Sequence, residues 1–561
     1  MQPLVWQVPF VLISSIIWLK QTLLWLYIWQ RKEYRIDKMR DYLTLPESKP
    51  ILWEKWTLFR LGFVAVWCAS FGINLWLTKI EFITNFLAWL WLLVVVLEVV
   101  EFTLKLIIRR TTLRPQFSAK ATLNFGLTFL TFQSILLYAA IFDPIFKASL
   151  VSAVLVLIIP LLIGIWLGIF SPLDRYFKQK LFQKALIHRK NLIDLKVIAI
   201  SGAYGKTTTK EVLSQLLESK FVVEKTLKNQ NTGVAVARKT LKLNEQTNFF
   251  VSELGAYKIG EGSEICEFTL PTTSIITGLN YQHFSLFGSE QNIIKAETES
   301  LQFLPPNATV AVNWSSQMCH KIDFPETIKL IKYGIPESET EAQEYDFYAQ
   351  NLQLNSDLQT QFDLVYKVGN IQTKHQLQTN LLSKGNIENL VGALSLAINF
   401  GLKIEEIKPL LKTLNPPQGS LEISQQDENI LINDSYNANF DGVVNAIKLL
   451  YQIKQVKNNP QKPNLSVLFL DDILELGTKS TEIHIQLAKI INQNPPDITV
   501  LLGRNFSEIV QNELVKNGYD ENQILNFKLL TATQIREIIT KKASDKAKIT
   551  LLEGFGSKKF V

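Results

Sequence analysis

The rhythm of apolar and polar positions changes once along this chain. The N-terminal part runs in long apolar blocks, Pro3–Ile28, Thr57–Thr78, Phe82–Val100, Ala121–Phe142 and Ser149–Phe170. Each is close to the ~20 residues that cross a bilayer as a helix. They predict a membrane region over residues 1–172 with about five spans; the first is the weakest, because Lys20 lies inside it. Residues 173–194 then read as one basic amphipathic helix. Beyond it, short apolar runs alternate with helix-period segments, the pattern of a mostly parallel α/β sheet. Leu195–Ile200, Phe249–Ser252 and Ser274–Asn280 are strand candidates of a domain over 195–400. The polar stretch Glu337–Thr379 adds antiparallel strands to it. Ile430–Asn433, Ser466–Leu470, Ile498–Leu502 and Ile549–Leu552 are strand candidates of a second α/β domain over 401–561, with the linker near Asn415–Gly419.

Composition sharpens this division. Hydrophobic residues make up 47% of the 561 and charged residues 19%, averaging a membrane-like part and a soluble-like part. The net charge is +7, and much of the basic charge stands in loops between apolar blocks, which points to a membrane and not to nucleic acid. Arg31, Lys32, Arg35, Lys38 and Arg40 follow the first block. Arg109, Arg110, Arg114 and Lys120 follow the third, and Arg175, Lys178, Lys180 and Lys184 the fifth. Five spans with the N-terminus outside bring all three groups, and everything after Phe170, to the cytoplasmic side. Glu98 and Glu101, near the end of the third block, mark either a polar path or an interfacial helix end. Cys68, Cys266 and Cys319 have neither disulfide-framework nor zinc spacing and read as free thiols in a reducing compartment.

The chemistry is concentrated after the membrane region. In AISGAYGKTTTKEVL (Ala199–Leu213), Gly202 and Gly205 permit a tight turn with close backbone approach to a ligand. Lys206 offers a charge to phosphates and Thr207 a hydroxyl to magnesium, at the start of a helix over Lys206–Ser219. This GxxGKT spacing is shorter than the usual phosphate-loop signature, since Ile200 stands where the first glycine should be.

Further strings follow in order: KNQNTGVAVARKTL (Lys228–Leu241), FFVSELGAYKIGEGSEI (Phe249–Ile265), PTTSIITGLNYQHFSLFGSEQNIIKAETE (Pro271–Glu299), KGNIENLVGAL (Lys384–Leu394), NDSYNANFDGVVNAI (Asn433–Ile447) and DDILELG (Asp471–Gly477). Together with the phosphate loop they resemble the Mur ligase family, in particular the branch that adds D-alanyl-D-alanine. The resemblance covers Leu195 to the C-terminus and nothing before it. It implies a central ATP-binding P-loop domain, a C-terminal Rossmann-like domain, and ATP-driven joining of a carboxylate to an amine through an acyl phosphate, with Mg2+. It implies that Gly202, Gly205, Lys206, Thr207 and Thr208 hold the nucleotide phosphates. Thr207, Glu253 and His283 become metal ligands, and Asn389 lies near the adenine. Asp434, Tyr436, Asn437 and Asn439 belong to the motif closing over nucleotide and amine, and Asn229 and Asn231 lie near the acyl substrate.

The sequence also departs from the family. The family's carbamylated lysine falls fourteen residues after the histidine, and here that position is Glu297. Lys295 is two residues out of phase, about 200° around a helix. Glu297 is therefore expected to supply directly the negative charge that carbamylation supplies elsewhere, as a fourth catalytic residue beside Lys206, Glu253 and His283; otherwise it is a solvent-facing glutamate. Gly385 replaces a histidine, Ser420 an arginine, Phe440 a proline and Glu553 a lysine, which leaves the amine substrate open.

The family's usual UDP-sugar-binding domain has no counterpart in the residues between the last apolar block and the phosphate loop. The expectation is a multi-pass protein of the bacterial inner membrane with cytoplasmic ligase domains. Its partners would be the bilayer, a peptide-bearing cell-wall precursor, free or lipid-linked, and an amino acid or D-Ala-D-Ala. Two alternatives stay open: a ligase resembling poly-glutamate synthases, acting on a membrane-associated polymer, and a nucleotide-binding membrane scaffold that no longer ligates.

Overall fold

The computed structural model describes residues 4–44, 48–74, 81–104, 115–142, 145–227, 230–368, 371–435, 438–458, 463–503, 505–543, 546–554 and 556–557. They form two compact units, Met1–Phe177 and Lys178–Val561.

The first unit is helical. Its elements are Leu4–Arg31, Ile36–Thr44, Lys49–Leu52, Lys55–Asn74, Glu81–Leu104, Ala119–Phe142, Ile145–Leu157 and the start of Ile159–Asn191. Large side chains such as Trp18, Trp91 and Phe132 fill its core, while Leu12, Leu93 and Leu130 remain exposed. Among the described residues, Pro9–Arg31, Phe86–Leu104 and Ala119–Ile141 are long and apolar enough to cross a membrane. A fourth span is possible if Ala148–Leu157 and Ile159–Asn191, bent by 64° at their junction, count as one. Among the described residues this gives three or four such helices where five spans were expected. The block Ser149–Phe170 is not one straight helix. The block Thr57–Thr78 is helical from Lys55 to Asn74, and its remainder lies outside the described residues, as do Arg109, Arg110 and Arg114. Nor is the basic stretch 173–194 a separate helix: one helix runs from Ile159 to Asn191 through Pro172.

The second unit holds two sheets. The first contains β1 (Lys196–Ser201), β2 (Val223–Lys225), β3 (Phe249–Glu253), β4 (Thr273–Ile276), β5 (Thr309–Asn313), β6 (Lys329–Gly334), β7 (Phe347–Leu354), β8 (Thr360–Val368) and β9 (Ile371–Thr379). Their spatial order is β2-β3-β1-β4-β5-β6-β7-β8-β9. The strands through β7 pair in parallel, and β8 and β9 extend the sheet antiparallel. β1, β3 and β4 are short and almost wholly buried, as expected of strands covered on both faces. The helices Lys206–Glu218 and Lys384–Asn399 pack together on one face with Val212, Leu216, Leu390 and Leu394 fully buried. Leu402, Ile407 and Leu411 belong to the same core.

The second sheet contains β10 (Glu422–Gln426), β11 (Asn429–Asp434), β12 (Leu465–Leu470), β13 (Ile498–Leu501), β14 (Ile524–Asn526) and β15 (Lys548–Glu553), in the order β10-β11-β15-β12-β13-β14. All pairs are parallel except the hairpin β10–β11. Cys266 and Cys319 are buried free thiols in the first lobe. Burial pushes the Cys319 thiol up to about 12 and raises that of Cys266 as well, with Glu299 and Glu267 adding to the latter.

Candidate active site

The site begins where β1 turns into the helix Lys206–Glu218. Gly202 and Gly205 have φ of +129° and +76°. A Cβ on Gly205 would run into the Asn389 side chain, and one on Gly202 into Thr277. Both positions need glycine for conformation and for room. The loop is tied to the next strand by Ala203 N donating to Gly278 O at 2.7 Å. Lys206 Nζ donates to the carbonyl of Gly202, folding its side chain back over the loop. Thr208 is buried in the first helical turn, and the hydroxyl of Thr209 reaches Asn389 Oδ1 at 3.3 Å.

Beside the loop, β3 delivers Glu253, almost fully buried at the C-terminal end of the sheet. Three side chains converge on its carboxylate. Thr207 Oγ1 lies 3.2 and 3.1 Å from its two oxygens, Asn231 Nδ2 donates at 3.2 Å, and Lys210 Nζ at 3.0 Å. Its backbone N donates to Thr226 Oγ1 at 3.1 Å. Lys210, wholly buried, is absent from the residues picked out by sequence. The clue was present: it lies four residues after Lys206 on one helix, so both face the same side.

Glu297 ends the helix Glu290–Glu297 and is buried, while Lys295 is exposed. Its Oε2 accepts from Gly202 N at 2.7 Å, at the phosphate loop itself. It is not a solvent-facing glutamate. His283, with φ +59°, starts the short helix Phe284–Phe287. Its Nδ1 is paired with Glu475, and the Tyr257 ring meets it edge-on at 4.7 Å. Glu475 comes from the turn after β12, so this pair joins the two lobes, as does Asn280 Nδ2 donating to Asp441 at 2.7 Å. Among the described residues no three His, Cys, Asp or Glu side chains cluster as a ready metal site.

Residues 200–397 match the family model described as Mur ligase middle domain. That part of the chain is a Mur ligase middle domain. The UDP-N-acetylmuramoyl-tripeptide--D-alanyl-D-alanine ligase of Buchnera aphidicola (strain APS) is 27% identical over 363 residues, 64% of this chain and 73% of that relative. The Escherichia coli K12 protein of the same name is 27% identical over 351 residues, 62% and 73% of the two chains. Among solved structures, MurF from Acinetobacter baumannii superposes with a TM-score of 0.58 at 22% identity, covering 67% of this chain and 77% of that one. MurF from Thermotoga maritima in complex with ADP gives 0.56 at 18%, covering 68% and 81%. At these identities the structural likeness speaks for the fold.

In the second lobe, the described residues of the expected closing motif are Asp434 and Asn439. Asn439 caps the helix Phe440–Val456, its Oδ1 accepting from Gly442 N at 3.0 Å. Asp434 is buried at the end of β11 and accepts from Leu421 N at 3.1 Å. Its register partner on β15 is Glu553, fully buried, with no conventional hydrogen bond to either oxygen. Burial pushes Asp434 up to about 7, and burial beside Asp434 raises Glu553 well above the usual carboxylate range. Glu388, on the helix that carries Asn389, is likewise pushed up to about 7 by burial. Tyr436, Asn437 and Asn229 lie outside the described residues. Gly385 has a packing reason: a Cβ there would come 2.8 Å from Asn445 Nδ2. Between the lobes a cavity of about 370 Å3 is lined by Tyr204 of the phosphate loop, Asn280, Tyr281, Asn439, Asp441 and Leu474.

Proposed function

We propose that this Mur ligase chain is a membrane-tethered, ATP-dependent amide ligase of cell-wall precursor synthesis. A peptide carboxylate attacks the γ-phosphorus of ATP, releasing ADP and giving an acyl phosphate. An amine nitrogen then attacks the acyl carbon, the C–O bond to phosphate breaks, and the nitrogen loses a proton. The curated relatives take D-alanyl-D-alanine as their amine, and the same dipeptide is the first candidate here.

The observation that carries this reading is the convergence of Thr207, Asn231 and Lys210 on buried Glu253 beside the glycine turn. Lys206 and the backbone of Gly202–Thr208 would hold the phosphates, Asn389 the region near the adenine, and Asp434 and Asn439 the closing side of the site. The hard oxygens of Thr207 and Glu253, about 3 Å apart, suit Mg2+, with His283 as a further ligand. When bound, the ion would neutralise phosphate charge. Asn231 orients Glu253, and Lys210 balances its charge when no cation is near. Glu297 fixes the Gly202 amide and keeps a negative charge at the loop that in the family comes from a carbamylated lysine.

Helices long and apolar enough to span a bilayer support membrane tethering, with the ligase lobes in the cytoplasm where ATP is. The carbonyl substrate would then be a peptide presented at the membrane. Purified protein in detergent should release phosphate from ATP only when both a precursor peptide and an amine are added. Release without either, or none with any pair, would reject the reading. Offering glutamate in place of D-Ala-D-Ala separates a polymer ligase from a cell-wall ligase. Resistance of the chain to carbonate extraction from membranes tests the tether.

A further inference from the structure

The pair formed by His283 and Glu475 does more than join the two lobes. Both residues hold left-handed backbone, with φ of +59° and +64°, a region that side chains seldom enter. Such conformations persist only where the surroundings impose them, and they gather at functional sites. Here each residue is the other's surroundings. His283 opens the short helix Phe284–Phe287 after β4, and Glu475 lies in the turn between β12 and the helix Ser480–Gln493. Ser285 N donates to the Glu475 carbonyl at 3.3 Å, and a Cβ on Gly477 would come 3.1 Å from the Ser285 backbone. The two turns fit backbone to backbone, and this fit carries the Glu475 carboxylate onto Nδ1 of His283.

A carboxylate can only accept, so Nδ1 is the ring nitrogen that carries the proton. With one proton on the ring, Nε2 keeps its lone pair, and no hydrogen bond takes it up among the described residues. The Tyr257 ring, edge-on at 4.7 Å, limits rotation of the imidazole. The pair is not sealed off, since the two side chains are 17% and 34% exposed. A histidine that ligates a cation through one nitrogen commonly gives its other N–H to a carboxylate, which fixes both tautomer and ring angle. Glu475 is such a carboxylate, and it comes from the opposite lobe.

Building on the reading of His283 as a metal ligand, we propose that Glu475 is a positioning residue of the ligase site. It holds the His283 ring so that Nε2 is presented to the cation. Because the second lobe carries it, that presentation depends on the two lobes being together. The full chain in detergent is loaded with Mn2+ and a non-hydrolysable ATP analogue. Electron spin echo spectroscopy reads nitrogen bound to the ion, and the signal of free Mn2+ reads its affinity. The natural sequence should show an imidazole nitrogen signal that His283→Ala abolishes. Absence of that signal, or its survival in His283→Ala, would overturn the metal role of His283 and that of Glu475 with it. Glu475→Gly removes the carboxylate and suits the left-handed backbone. In it Mn2+ should bind about ten-fold more weakly, with the nitrogen signal reduced. Glu475→Gln, which keeps an acceptor for Nδ1, should restore most of the affinity. Asn280→Ala, which cuts a different bond between the lobes, should leave it nearly unchanged. If Glu475→Gly does not fold, Glu475→Asn, which tolerates the same backbone and is one methylene shorter, replaces it. Full affinity and signal without the Glu475 carboxylate would overturn its positioning role and leave the ligase reading standing. So would an equal loss in Glu475→Gln, which would make charge the cause, or in Asn280→Ala, which would make lobe docking the cause.

Discussion

Glu253 and Glu553 stand in matching places in the two sheets of the second unit. Each ends a central parallel strand at the sheet's C-terminal edge, and each is buried. Their surroundings differ completely. Thr207, Asn231 and Lys210 turn toward Glu253. Beside Glu553 lies another carboxyl, Asp434, and its oxygens find no donor in ordinary geometry. Burial with a second carboxyl alongside raises Glu553 well above the usual carboxylate range. The first arrangement is the one we propose holds Mg2+ and the nucleotide phosphates. The second sets two buried carboxyls side by side at the ends of β11 and β15.

The sharpest way to break this contrast is Glu253→Gln. It strands the ammonium of Lys210, and removing one partner of a buried pair costs about 3–5 kcal/mol. Urea unfolding should register the loss, and ligase turnover should vanish. Adding Lys210→Met should restore much of the stability and none of the turnover. A double variant that regains activity would remove Glu253 from the chemistry.

Glu297→Gln comes next. It keeps an acceptor for the Gly202 amide and deletes the charge, so turnover should fall by about 10²-fold with the fold intact, the scale of losing one preorganised electrostatic contact. Added bicarbonate should leave the natural enzyme's rate unchanged. Stimulation by bicarbonate would point to a carbamylated lysine instead.

The acid pair of the second sheet predicts a pH signature. Burial pushes Asp434 up to about 7 in the folded chain against 3.8 ordinarily, and burial beside Asp434 raises Glu553 well above its ordinary 4.5. Over that interval the folded chain keeps protons the unfolded chain has released. Stability should therefore fall as pH rises, by about 1.4 kcal/mol per pH unit for each such group, and level off above the folded value. Glu553→Gln should flatten the slope of melting temperature against pH; an unchanged slope would mean the pair is not the source.

The smallest expected effect is at the lobe contact. Asn280→Ala removes the 2.7 Å bond to Asp441 and should cost about 1 kcal/mol. Burial already raises the Asp441 carboxyl, and losing the Asn280 donor should raise it further.

Much of the second unit is legible in its sequence. The strand Lys196–Ser201, the helix from Lys206 and the strands ending at Glu253, Asp434 and Leu470 follow from apolar runs punctuated by glycine and polar turns. β2, β10 and β14 escape notice, being short, edge-positioned or only partly apolar. Lys210 escapes because a lysine inside a helix normally faces water, and only tertiary contact shows it turned inward. The pairing of His283 with Glu475 is invisible for the same reason, as 192 residues separate them. In the helical unit, apolar runs have the same composition whether a helix crosses a bilayer or bends against its neighbours. The break between Leu157 and Ile159 is marked only by Pro160, which cannot continue the first helix and fits the first turn of the next.

Cys266 and Cys319 carry a practical consequence. Thiol reagents attack the thiolate, and both sulfurs are shielded from solvent and held far from ionisation at neutral pH. Alkylation of either can proceed only as fast as the surrounding lobe opens. The natural sequence thus contains its own clock for breathing of the nucleotide-binding lobe, readable by mass spectrometry without any engineered label.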